Sequence, residues 1–128
     1  MSHVFPVRVY YEDTDMAGIV YHANFLKFIE RARSDWVREQ GLDQNRMRDA
    51  GTVFVVRRIE ADYLAVARYD DALCVLTSVK AISGARLQMS QEVLRDGKAL
   101  FRADVTAACT TLDGRPIRLP NELRGPIS

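Results

Sequence analysis

Apolar and polar residues alternate along most of this chain, and the period of the alternation changes twice. Val7, Val9 and Tyr11 alternate with Arg8, Tyr10 and Glu12, the period-2 signature of a strand with one buried face. From about His22 to about Gln40 the spacing lengthens. There Phe25, Phe28, Ile29, Ala32 and Trp36 fall on one side of a helix, and Lys27, Glu30, Arg31, Ser34 and Arg38 on the other. Gly41 supplies a C-terminal stop, and Asp43 to Ala50 reads as a short helical or irregular connection.

Beyond Thr52 the period returns to 2. Val53, Val55, Ile59, Ala61 and Tyr63 occupy one phase of a long strand that ends near Arg68 to Asp71. Leu73, Val75, Thr77, Val79 and Ala81 mark the next strand, closed by Ser83-Gly84, and Leu87, Met89, Gln91 and Val93 mark a third. Phe101, Ala103, Val105, Ala107 and Cys109 mark the last. Asp96-Gly97 between the last two runs is a strong hairpin signal, because a type I′ turn needs positive φ at both central positions. Asp113-Gly114 then turns the chain into a Pro-bearing tail. A strand, a helix and four consecutive strands predict an α+β fold, with a largely antiparallel sheet whose concave face the helix covers.

Composition narrows the partners. At 128 residues, with 48% hydrophobic and 27% charged positions, the expectation is one globular domain spanning 1–128, without repeats or linkers. Eighteen Lys+Arg against 17 Asp+Glu give a net charge of +1, which argues against a nucleic-acid binder. The longest apolar runs, such as Tyr63 to Ala67, are too short to span a bilayer. The opening residues predict no cleaved secretion signal. Cys74 and Cys109 lie in apolar stretches and read as reduced, buried residues of a cytoplasmic protein. With two histidines and no CxxC pair, neither a metal site nor a cofactor is expected.

The chemistry concentrates between Tyr11 and Phe25, where three acids, two tyrosines, a histidine and a glycine meet at a strand-to-helix junction. The free N–H groups of a helix start near Tyr21 to Asn24 suit an anion or a developing oxyanion. The carboxylate of Asp15 can face a carbonyl held there as base or nucleophile. Spacing alone leaves this open. The same acids can serve only as caps, His22 can be a surface residue of the first turn, and Tyr11 can be a core tyrosine.

The run from Val7 to Asp15, followed by Gly18-Ile19-Val20-Tyr21-His22-Ala23-Asn24-Phe25, resembles the signature of the hotdog-fold acyl-CoA thioesterases. The likeness is to the 4-hydroxybenzoyl-CoA thioesterase branch, and more closely to the bacterial YbgC-type, Tol–Pal-associated family. It continues through Glu30-Arg31-Ala32-Arg33, Phe54 to Arg58, Tyr63, Ala67 to Asp71 and Arg118-Leu119-Pro120. The resemblance implies a five-stranded antiparallel sheet wrapped around one long helix. It also implies an acyl-CoA substrate, no cofactor, and assembly as a homo-oligomer: a dimer of hotdogs, extending to a tetramer. An acyl carrier protein is a further partner of the same chemistry.

Carried over by position, Asp15 matches the catalytic carboxylate, His22 the residue whose backbone N–H polarises the thioester carbonyl, and Tyr11 a third catalytic residue. Gly18, Val20 and Tyr21 accompany the His22 backbone in substrate binding. Phe25 stands where the family usually has tyrosine, and Val66 where it has proline. The coenzyme A phosphate cluster has no clear match at Ser83-Gly84-Ala85, although Arg86 follows. Two other function classes compete with hydrolysis: a hotdog enoyl-CoA hydratase or dehydratase, and a non-catalytic acyl-CoA or acyl-carrier-protein binder.

Overall fold

A computed structural model describes residues 2–124. Five strands, β1 (His3–Arg8), β2 (Thr52–Tyr63), β3 (Ala72–Ser83), β4 (Arg86–Arg95) and β5 (Lys98–Thr111), form one antiparallel sheet in the order β1-β3-β4-β5-β2. Helix α1 (Asn24–Glu39) packs against it, followed by α2 (Gln44–Asp49), with α3 (Asn121–Arg124) near the end. This is the α+β hotdog arrangement that the resemblance implies. No helix among the described residues is long and apolar enough to cross a membrane.

The α1 stripe behaves as its spacing predicts: Phe25, Phe28, Ile29, Ala32 and Trp36 are all buried. Phe28 and Ile29 join Val75, Val93, Phe101 and Val105 in one cluster, while Trp36 and Val37 join Leu87, Met89 and Cys109 in a second. Gly41 ends the helix with φ +89°, a backbone that an L side chain rarely adopts. The Asp43 carboxylate caps α2 by accepting the N–H groups of Asn45 and Arg46. Asp96 (φ 52°) and Gly97 (φ 79°) both take positive φ, as the type I′ hairpin requires.

Four expectations need correction. First, β1 begins and ends earlier than the alternation implies, and Tyr11 is exposed on a 3₁₀ turn (Tyr11–Asp13) rather than buried in a strand. The Asp13 carboxylate accepts the Tyr10 N–H at 2.8 Å and bends the chain out of the sheet. Second, β2 stops at Tyr63, and with a register shift between Val56 and Arg58 it is Phe54, rather than Val53 and Val55, that packs on the core before the shift, while Val56 is exposed. Ile59, Ala61 and Tyr63 keep the expected phase after it, opposite Val105, Ala103 and Phe101. Third, a shift between Val79 and Ala81 in β3 leaves Ala81 exposed and packs Ile82 against the core. One extra residue inverts every side chain beyond it, so strict alternation misassigns faces on one side of each bulge. Fourth, Cys109 is buried, but Cys74 is only half-buried on the other face of β3. Both are free, and β4 separates their strands by two spacings of about 4.8 Å, too far for a disulfide. Burial pushes the Cys109 thiol up.

Candidate active site

Asp15 begins a tight hairpin between the bridged residues Thr14 and Val20. The Gly18 N–H donates to the Asp15 carbonyl at 3.0 Å, and the Asp15 N–H donates to the Ile19 carbonyl at 2.9 Å. This is a turn followed by a bulge residue, and Gly18 sits at φ +77° because the bulge position needs the left-handed region. One Asp15 carboxylate oxygen accepts the Ala17 N–H at 2.9 Å. The side chain is otherwise exposed at the mouth of the loop.

Two neighbours fix where the hairpin sits. On one side, the Tyr21 N–H donates to the Asp13 carbonyl, and Asn24 Nδ2 donates to the buried Asp13 carboxylate at 3.1 Å. On the other, Ile19 bridges to Arg68, and the Val20 N–H donates to the Ala67 carbonyl at 2.8 Å. The 64–71 loop is itself held by Asp71, whose carboxylate accepts the Arg68 N–H and Arg95 Nη1, both at 2.8 Å. Burial alone would raise the Asp71 carboxyl, but these donors outweigh it and hold it below the usual carboxylate range.

The chain then enters α1. The Asn24 N–H donates to the Tyr21 carbonyl, and the Phe25 and Leu26 N–H groups donate to His22 and Ala23. Among the described residues the N–H groups of His22 and Ala23 themselves have no partner. They are the unspent donors of a helix start, at the positions where an anionic oxygen would be stabilised. Tyr63 Oη donates to the His22 carbonyl at 3.0 Å, which orients the peptide plane that carries the Ala23 N–H.

The Tyr63 ring lies edge-on to His22, Phe25 and Phe101, while Phe25 stacks on Phe101 with centroids 5.0 Å apart. Phe25 is thus a wall of the core, which explains why it needs no hydroxyl.

Of the expected site residues, Asp15, Gly18, Val20, Tyr21 and His22 are brought to one junction. Val20 is buried and serves as an anchor of the loop, while Tyr21 and His22 are exposed with their rings tilted against each other at 4.6 Å. Tyr11 stands apart from this group. It lines a hollow with Tyr10, Arg8 and Tyr69, and no hydrogen bond joins it to Asp15 or His22 among the described residues. Asp13, Asn24 and Tyr63 were missed as site residues. The sequence signals for them are weak: a second acid beside Asp15, a polar residue at the helix start, and a strand-end tyrosine distant in sequence.

A second cavity, of about 320 Å³, opens between α1 and β2, lined by Arg33, Val37, Phe54, Leu87 and Met89 among others. Arg33 Nη1 donates to Gln91 Oε1, and the buried Gln91 amide donates to the Ile29 carbonyl and Thr77 Oγ1. Burial lowers the Arg33 pKa, opposed by the nearby Glu30 charge.

Comparison with known proteins identifies the family. Residues 9–127 match the family model of the thioesterase-like superfamily. Acyl-CoA thioesterase YbgC of Haemophilus influenzae is 40% identical over 122 residues, covering 94% of this chain and 90% of its own length. Acyl-CoA thioester hydrolase YbgC of Escherichia coli is 38% identical over 120 residues, covering 92% and 90%. The crystal structure of a probable thioesterase from Bartonella henselae superposes with a TM-score of 0.89 at 37% identity, covering 94% of this chain and all of that one. The chain belongs to the thioesterase-like superfamily, with the hotdog fold and close kinship to the YbgC proteins.

Proposed function

We propose that this protein is an acyl-CoA thioesterase that hydrolyses the thioester to free acid and coenzyme A. Asp15 acts as base or nucleophile and the start of α1 as the oxyanion hole. The observation that carries the reading is the junction itself. A glycine-dependent hairpin holds an exposed carboxylate beside a helix start whose first N–H groups, at His22 and Ala23, have no partner within the chain among the described residues. The thioester oxygen accepts from these donors and leaves the carbonyl carbon electron-poor. Asp15 then either takes a proton from the attacking water or adds to the carbonyl, giving a mixed anhydride that water cleaves. In both routes the thiolate leaves as coenzyme A. Tyr21 and the backbone around Gly18 and Val20 border the acyl group, the His22 ring orients the acid or its water, and Tyr11 is grouped with them by its place in the family signature.

The names of the curated relatives support the substrate class. An acyl group on a carrier protein presents the same thioester. Residues 1–128 act as one unit, and free cysteines on non-adjacent strands suit the reducing cytoplasm. We also infer assembly into dimers of hotdogs and a tetramer, supported by the unpaired outer edge of β2 and its partly exposed Val53 to Val56.

A thiol-release assay over short, long and aromatic acyl-CoAs tests the assignment. Asp15→Asn should reduce the rate by about 10²–10⁴, with circular dichroism unchanged, because the carboxylate makes only a turn contact. Full activity in Asp15→Asn removes Asp15 from the mechanism. Loss of enoyl-CoA absorbance without thiol release would assign a hydratase instead.

A further inference from the structure

At the opposite end of α1 from Asp15, strand and helix bring together three groups that the sequence keeps far apart. His3 Nε2 lies 2.8 Å from Asp35 Oδ2 and 3.1 Å from Glu39 Oε2. The three ligand atoms all lie within 4.8 Å of one another. Asp35 and Glu39 are one helical turn apart, so both carboxylates project from the same face of α1. His3 opens β1 and is fixed in register opposite Thr77 of β3.

We propose that His3, Asp35 and Glu39 bind a divalent first-row transition ion, with zinc as the probe. The imidazole side chain is 5% exposed and points Nε2 at both carboxylates. It can offer that pair one proton at most, so two anionic groups converge on a single donor. A cation between them relieves the repulsion that the shared proton leaves.

The donor set, one imidazole nitrogen and two carboxylate oxygens, is the kind that zinc accepts with its fourth position open to water. Tetrahedral coordination at zinc–ligand distances near 2.0–2.1 Å spaces ligand atoms about 3.3 Å apart. The His3 separations of 2.8 Å to Asp35 and 3.1 Å to Glu39 lie within about half an ångström of that spacing. Arg38 Nη1 holds the other Asp35 oxygen at 3.3 Å, an outer contact of the kind that orients a ligating carboxylate.

On binding, the Nε2 lone pair and one lone pair from each carboxylate form the coordinate bonds, and the imidazole proton moves to Nδ1. No electrons are transferred. His3 Nδ1, the ring's other nitrogen, is buried and has no partner among the described residues. The ion would clamp β1 to the C-terminal half of α1.

The site does not depend on the thioesterase reading, and its test needs no turnover. Zinc titration of the full chain against a chromophoric chelator should show one equivalent bound, and zinc should raise the thermal midpoint. His3→Gln and the exposed Glu39→Gln should each weaken binding about tenfold or more, while His22→Gln should leave it unchanged. The proposal fails if wild type binds no zinc, if either ligand variant binds as tightly as wild type, or if His22→Gln abolishes binding. Cobalt substitution adds a folding-independent readout, since d–d absorbance should appear in wild type and vanish in Glu39→Gln.

Discussion

Tyr63 spends its hydroxyl on a backbone carbonyl, that of His22, while its ring packs on Phe101. Its effect on a bound thioester therefore passes through the peptide plane it orients, which makes it a positioning residue. Tyr63→Phe keeps the packing and frees the peptide. The expected outcome is a fall in kcat of about fivefold, the rate equivalent of a ~1 kcal/mol hydrogen bond, with KM nearly unchanged. Steady-state kinetics on one acyl-CoA would show it, and an equal change in both parameters would argue for a purely structural role.

The proximity of Asp15, Gly18 and His22 was legible in the sequence because the hairpin and helix start that unite them are contiguous. Tyr63 was legible only as a strand residue, since it sits 41 residues from the carbonyl it serves. His3 was illegible as a ligand for the same reason, lying 32 residues from Asp35. Tyr11 shows the converse: alternation assigned it a buried face, but the Asp13 carboxylate ended the strand before it.

At the level of elements, the 64–71 loop acts as the splint of the Asp15 hairpin. Asp70 takes a left-handed φ of 70° there, stabilised by its N–H donating to the Val9 carbonyl. Asp71 ties the loop to Arg95 of β4. Its carboxyl is held below the ordinary value, so the folded state binds its proton less readily than the unfolded chain does. The stabilisation is therefore complete above the unfolded pKa of about 3.9 and is lost as pH falls through the lower folded value. Thermal midpoints measured down that acid limb should fall more steeply for wild type than for Asp71→Asn. Parallel curves would mean that the clamp contributes nothing.

Helix α1 and β4 followed their periodicities because each keeps one phase on its buried face, while β5 buries the expected Phe101, Ala103, Val105, Ala107 and Cys109 and also Leu100, Ala108 and Thr110. The departures in β2 and β3 come from single extra residues, which no propensity marks in advance.

Over the whole molecule, α1 contacts β1, β3 and β4, while β2 forms the far edge of the sheet. The second half of that edge carries Arg57, Arg58, Glu60 and Asp62, which discourage pairing with another strand. The first half, Val53 to Val56, carries no charge and remains open to it. Sedimentation equilibrium should therefore give two or four times the 14.5 kDa chain mass, and thiol release per chain should fall on dilution. A monomer mass with constant specific activity would overturn the assembly.

The sheet order also bears on when the chemistry becomes available during folding. β3, β4 and β5 are successive hairpins that can form from local contacts alone. By contrast, β1 must wait for β3, which begins only at Ala72, and closing that long loop is entropically slow. The Asp15 hairpin leans on Ala67 and Arg68, within the same late-closing stretch. In a refolding chain the β3–β5 hairpins are therefore expected to form before the Asp15 junction does.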